Sequence, residues 1–236
     1  METDAVTDHV ASIAGTFDRS AGDGHGDRMA LGHWPRTRQI IERMALEPGN
    51  TVLDVGCGTG HALRAMAKVI KPDGKACGVD ISKGMIQRAI DLSRAFDNVT
   101  YEYTQATRLP FENDTFDHIL SVEMLYYAED MKRVLLEMQR VLKPGGFAWV
   151  MVDCYQENTV SEAWLDLFEV PIHFLKEAAY QTLFEAAGFQ QVKTCRLFDD
   201  TPVDVENFKP SWGFKAVEDV IKFRTEIGSL LITGQK

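Results

Sequence analysis

The chain has 236 residues, a net charge of −10 and 45% hydrophobic content, which suits one enzyme-sized unit with a packed α/β core. That acidic balance disfavours DNA and RNA as substrates, because no run of Lys or Arg goes beyond a pair such as Lys132-Arg133, which sits on a charged helical stretch. No apolar run is long enough to span a bilayer, the start Met1-Glu2-Thr3-Asp4 does not read as a signal peptide, and Cys57, Cys77, Cys154 and Cys195 show no metal spacing, so a reducing cytoplasm is the expected setting.

Residues 1–45 read as an N-terminal cap. A mobile loop is expected over Gly15 to Asp27, where Gly22, Gly24 and Gly26 fall among acids, followed by a helix from Arg36 to Ala45. Trp34 is a candidate for the substrate side, since aromatic faces attract cations. Its neighbour His33 reads as a packing residue. The run Thr51 to Gly60 is a short apolar strand ending in Asp54 and a glycine turn, with a helix from His61. Lys75 to Ser82 repeats the pattern with Asp80 at the tip, and Ser82 is placed to cap a helix from Lys83 to Arg94. Further on, a helix over Glu129–Arg140 stops near Pro144-Gly145-Gly146, before a strand Ala148–Val152. A helix Leu175–Ala187 and a strand Phe189–Phe198 follow. A polar excursion, Asp199 to Glu226, carries Trp212, Phe214 and a helix Ala216–Thr225, before a last strand Gly228–Thr233. Alternating strands and helices argue for parallel β-α units.

The glycine turn limits the ligand. A phosphate-binding P-loop needs Lys and Ser or Thr after its last glycine, and His61 and Ala62 stand there. A dinucleotide fingerprint needs glycine at position 61. Gly56, Gly58 and Gly60 let a ligand lie against the backbone, while the Asp54 carboxylate asks for a cationic group. Asp80, about 20 residues past the turn, is placed for ribose hydroxyls.

Val52 to Gly60 resembles motif I of the class I S-adenosylmethionine-dependent methyltransferases. Thr104 to Phe111, Phe116 to Glu123 and Val141 to Phe147 resemble later signatures of that family, close to the quinone C-methyltransferase-like (type 11) group. The resemblance implies an α/β Rossmann-like fold, with a seven-stranded, mostly parallel sheet, helices on both faces and an antiparallel C-terminal edge strand. It implies a methyltransferase domain over 46–236, with 153–176 and 199–226 as substrate-side or lid insertions. It implies S-adenosylmethionine as cofactor and S-adenosylhomocysteine as product. The implied cofactor residues are Asp54, Gly56, Cys57, Gly58 and Thr59 in the turn, Asp80, Ile81 and Met85 at ribose and adenine, Gln105, Ala106 and Thr107 at the adenine edge, and Ser121 and Glu123 toward the methionine portion. The family often has Asp where Gln105 stands, and a glutamine amide can still donate and accept.

The acceptor side is expected from Tyr126, Tyr127 and His173 as catalytic or positioning groups, and from Trp34, Tyr155 and Glu157 at the substrate. A tyrosine with an ordinary pKa near ~10 is a poor base at neutral pH, which favours positioning. His173 suits proton transfer. The expected partner is a small-molecule methyl acceptor, with no metal and a monomeric or homodimeric chain. A protein or nucleic-acid methyltransferase, or a catalytically silent cofactor-binding subunit, are the alternatives.

Overall fold

The computed structural model describes residues 2–211 and 213–236, with side chains from Asp8 onward; Trp212, expected in the excursion, lies outside the described residues. Seven strands form one sheet in the order β3-β2-β1-β4-β5-β7-β6. They are β1 (Thr51–Val55), β2 (Lys75–Asp80), β3 (Val99–Tyr103), β4 (Phe116–Val122), β5 (Leu142–Val152), β6 (Gln190–Leu197) and β7 (Ser229–Gln235). β1 runs parallel to β2 and to β4, and β2–β3 and β4–β5 are parallel as well. β7 pairs antiparallel with both β5 and β6. This is the expected sheet.

Alternation along each strand feeds two cores, as the period of two requires. Leu53, Ile119, Val150 and Ile232 belong to one cluster, under α5 (Met131–Val141) and α6 (Glu177–Ala186). Val52, Leu120, Met151 and Leu231 belong to the other, under α3 (His61–Val69) and the C-terminal end of α2 (His25–Arg43). Both faces of the parallel strands are covered, which explains their continuous apolar runs. Each such side chain, fully buried, contributes about 1.5–3 kcal/mol.

The N-terminal segment differs from the expectation. Gly15 to Asp27 is helical, in α1 (Glu2–Gly22) and the start of α2, and the chain turns at Gly24 with φ 74°. Tertiary partners override the glycine content here. Asp18 Oδ1 accepts from Ser82 Oγ at 2.6 Å and from the Gly84 amide at 2.8 Å, both at the start of α4 (Lys83–Leu92). Asp27 pairs with Arg88 at 2.8 Å, and Arg19 pairs with Glu169. These contacts are largely exposed, and such pairs give roughly 0–1 kcal/mol each. α1 and the first turn of α2 are therefore held less firmly than the C-terminal half of α2, where Ile40 and the C-cap residue Met44 are buried in the core. The expected excursion helix is present as α7 (Val217–Lys222), continued by a π-turn Phe223–Ile227. Trp164 and Phe223 pack together at 5.6 Å, joining residues of the 153–176 and 199–226 segments.

Candidate active site

The strand order reverses between β1 and β4, since β2 lies on one side of β1 and β4 on the other. Ligand crevices of open α/β sheets form at such a point, outside the carboxyl ends of the strands. The glycine turn leaves β1 there and is stitched to β2, with the Gly56 and Cys57 amides donating to the Val79 carbonyl at 2.9 and 3.0 Å. Asp80 fixes the turn from the next strand. Its Oδ2 accepts from the Gly58 amide and its Oδ1 from the Ser82 amide, both at 2.9 Å. Ser82 caps α4 through the Met85 amide at 3.0 Å. Gly58 has φ 50°, and a side chain there would enter open space in front of the turn. The start of α2 lies over this region, because a Cβ on Gly26 would meet Met85 Cε at 2.8 Å and Thr59 Cγ2 at 3.2 Å.

Asp54 is 3% exposed, and its carboxyl has no hydrogen-bond partner among the described residues. Burial, then the charge of Asp80, pushes its pKa up to about 7. Burial also raises Asp80, against the Ser82, Gly58 and Ile81 amides that favour its charged form. Cys57 is held as a thiol by the same burial. Two enclosed acids that lack a cation, beside a turn with open space, fit a ligand carrying an amino group and a ribose diol.

At the end of β4 lie the groups expected near the reaction. Ser121 is buried, with no hydrogen-bond partner for its hydroxyl among the described residues. Glu123 sits at φ 56°, a strained conformation for a non-glycine residue. Its Oε2 accepts from the Tyr126 hydroxyl at 2.8 Å, and its Oε1 accepts from the Asp153 amide. Burial and the Asp153 charge raise Glu123 well above the usual carboxylate range. The hydroxyls of Tyr126 and Tyr127 are pushed up by burial, then by Glu123. Both hydroxyls therefore stay protonated, which suits positioning and not base chemistry. Tyr127 meets Phe17 of α1 edge-on at 5.3 Å, and both tyrosines meet Phe168.

Not every expected residue joins this crevice. Tyr155 is fully buried, and its hydroxyl donates to the Gly228 carbonyl at 2.9 Å, which places it in the core. Glu157 is exposed and accepts the Glu177 amide at 3.1 Å, serving the start of α6. Trp34 turns edge-on to His61 at 4.6 Å and lines a separate groove with Arg64, Lys68 and Phe96. His173 gives its backbone amide to the Tyr126 carbonyl at 2.8 Å. Gln105 is exposed, within 3.5 Å of the Thr107 hydroxyl, and Ala106 packs against the core.

Sequence reading missed a buried ionic cluster. Arg36, 5% exposed, donates to Asp153 Oδ2 and Asp199 Oδ2 at 3.3 Å each, and Arg224 also reaches Asp199 at 3.3 Å. His33, one helical turn before Arg36, stands with Glu123 and Asp153 so that one ligand atom from each lies within 4.8 Å of the others. Burial lowers the His33 pKa and keeps the ring neutral. No sequence spacing signals this cluster, whose members come from five separate stretches of the chain, at 33–36, 123, 153, 199 and 224.

A family model described as a methyltransferase domain matches residues 46–188. A demethylmenaquinone methyltransferase of Symbiobacterium thermophilum is 37% identical over 136 residues, covering 55% of this chain and 54% of that protein. Methyltransferase GfsG of Streptomyces halstedii is 32% identical over 137 residues, covering 51% of this chain and 49% of that protein. The chain thus spans about half the length of the curated relatives it matches. Among solved structures, a Haloferax volcanii methyltransferase in complex with the Trm112 methyltransferase activator superposes with a TM-score of 0.82 at 32% identity, over 93% of this chain and 96% of that one. Fold, glycine turn and strand-end acids together are those of the class I methyltransferases. The chain belongs to the methyltransferase-domain family of S-adenosylmethionine-dependent enzymes.

Proposed function

We propose that the chain transfers the methyl group of S-adenosylmethionine to a small-molecule acceptor. The observation that carries this is the Asp80 carboxylate clamped between the Gly58 and Ser82 amides, beside the unpartnered Asp54. In this reading Asp54 serves the amino end of the cofactor. Gly56, Cys57, Gly58 and Thr59 line the methionine and ribose. Asp80 takes the ribose hydroxyls, Ile81 and Met85 flank the adenine, and Gln105, Ala106 and Thr107 meet its edge. Ser121 and Glu123 approach the methionine portion, and Tyr126 and Tyr127 orient the acceptor. His173 is held against Tyr126 by its backbone and completes that wall.

The cofactor supplies a methyl group already activated on a positively charged sulfur, so the chain's task is alignment. Orientation alone is worth about 7–11 kcal/mol of such a barrier. The helical pair α1–α2 excludes water while it is docked. The relatives named for demethylmenaquinone support a small organic acceptor. The test is a panel of small acceptors incubated with label-bearing S-adenosylmethionine, with transfer scored by mass. Label appearing only in added protein or RNA would refute the small-molecule reading.

A second reading is favoured by the near-complete overlap with the Haloferax methyltransferase. In it, this chain works with an activator subunit of the Trm112 kind. Co-expression with such a subunit should give a one-to-one complex by light scattering, and two species eluting separately would refute it.

A further inference from the structure

The His33, Glu123 and Asp153 cluster lies outside every cofactor assignment except that of Glu123, and His33 lies outside the matched 46–188 span. We propose that these three side chains are the seat of a primary amine, so that the methyl acceptor is an aliphatic amine whose nitrogen sits among them. This deepens, and rests on, the small-molecule methyltransferase reading.

Geometry argues first. The three ligand atoms lie within 4.8 Å of one another, so a central atom is no more than about 2.8 Å from each. That is hydrogen-bond distance for a nitrogen with three N–H donors. The Arg36 guanidinium, 3.3 Å from Asp153, opposes a second, denser positive charge such as a divalent metal. All three protein groups can accept: a neutral imidazole through one ring nitrogen, and each carboxylate through a free lone pair.

Charge argues next. Arg36 and Arg224 balance Asp153 and Asp199, and Glu123 has no cationic partner among the described residues. Asp153 Oδ1 is buried with no hydrogen-bond partner among the described residues, in a side chain only 6% exposed. One ammonium ion would satisfy both. His33 and Glu123 keep partial exposure, while Asp153 is buried.

The surroundings agree. The rings of Tyr126, Tyr127, Phe168 and Phe17 form a contiguous cluster, with centroids 4.7 to 6.0 Å apart along it. The Tyr126 hydroxyl joins this cluster to Glu123. Ring faces attract alkylammonium groups. His33 rides on α2, one turn before the buried Arg36, so α2 completes the seat.

The proton balance closes within the seat. An ammonium gives one proton to the Glu123 carboxylate and exposes its lone pair. The nitrogen bonds the methyl carbon as the carbon–sulfur bond breaks, and that electron pair stays on sulfur. The product is a methylammonium, and the proton remains on Glu123.

The test follows the His33 ring signals by NMR in the full chain with S-adenosylhomocysteine added. The probes are butylammonium, 1-butanol and Mn²⁺, each alone. Saturable shifts with butylammonium and none with 1-butanol support the seat, as does roughly tenfold or greater weakening in Glu123→Gln and Asp153→Asn. Equal responses to butylammonium and 1-butanol, or a response to Mn²⁺ alone, overturn it; the wild-type comparison decides even if the variants fold poorly. Calorimetry of S-adenosylhomocysteine on the same sample separates the two claims. If that ligand binds and butylammonium does not, only the amine seat fails. If it does not bind, the methyltransferase reading itself fails, and the acceptor role of the seat with it.

Discussion

Replacing Asp54 with asparagine keeps the side chain's shape and removes its charge. In the folded chain without ligand, this carboxyl has its pKa pushed up to about 7, from an ordinary 3.8, by burial and by Asp80. A raised acid pKa means that the folded state holds a proton the unfolded state has already released. Stability therefore falls as pH rises from about 4 to about 7, and levels off above that. The gap corresponds to roughly 4 kcal/mol, and the residue is buried enough that solvent screening removes little of it. Urea unfolding at a series of pH values should show Asp54→Asn more stable than wild type at pH 8 by several kcal/mol, with the two converging near pH 4. Asp80 and Glu123 are raised in both proteins, so the difference isolates Asp54 together with its repulsion of Asp80. The same charge should attract the amino group of the cofactor. S-adenosylhomocysteine should then bind wild type more tightly as pH rises toward 7, with proton release below that, and should bind the variant more weakly. Parallel pH profiles for the two proteins would refute this account of Asp54.

Asp80→Ala removes a charged acceptor placed for two ribose hydroxyls and should weaken adenosyl ligands about 10- to 100-fold by calorimetry; unchanged affinity would remove the ribose assignment. Arg36→Met leaves Asp153 and Asp199 buried with less compensation. It should cost about 3–5 kcal/mol in urea unfolding, and a loss under ~1 kcal/mol would show that water already reaches the pair. Asp18→Ala frees the Ser82 hydroxyl and the Gly84 amide from α1. Amide exchange in α1 should quicken while the global unfolding midpoint moves little, and equal exchange in both proteins would contradict a weakly held α1.

The cofactor half was legible because its signals are local. A glycine turn after an apolar strand, and an acid at the next strand tip, declare themselves within a few residues; alternation gives the parallel β-α units, and the seven-stranded sheet with its antiparallel edge came from the family resemblance. The N-terminal helices were not legible in that way. Glycines and acids around Asp18 and Asp27 read as loop, and only Ser82, Gly84 and Arg88, more than 60 residues away, turn those acids into helix anchors. Tyr155 follows a strand end, where ligand contacts are common, yet the Gly228 carbonyl takes its hydroxyl into the core. His33 read as packing because its partners, Glu123 and Asp153, are about 90 and 120 residues further along and share no spacing with it. What remained hidden was tertiary convergence, which no single-segment pattern encodes.

The central claim is met most directly by titrating the purified full chain with S-adenosylmethionine, S-adenosylhomocysteine and NAD in a calorimeter. The account predicts saturable one-to-one binding of both adenosyl ligands and no heat from NAD. A folded chain that binds NAD, or that binds neither adenosyl ligand, would contradict it.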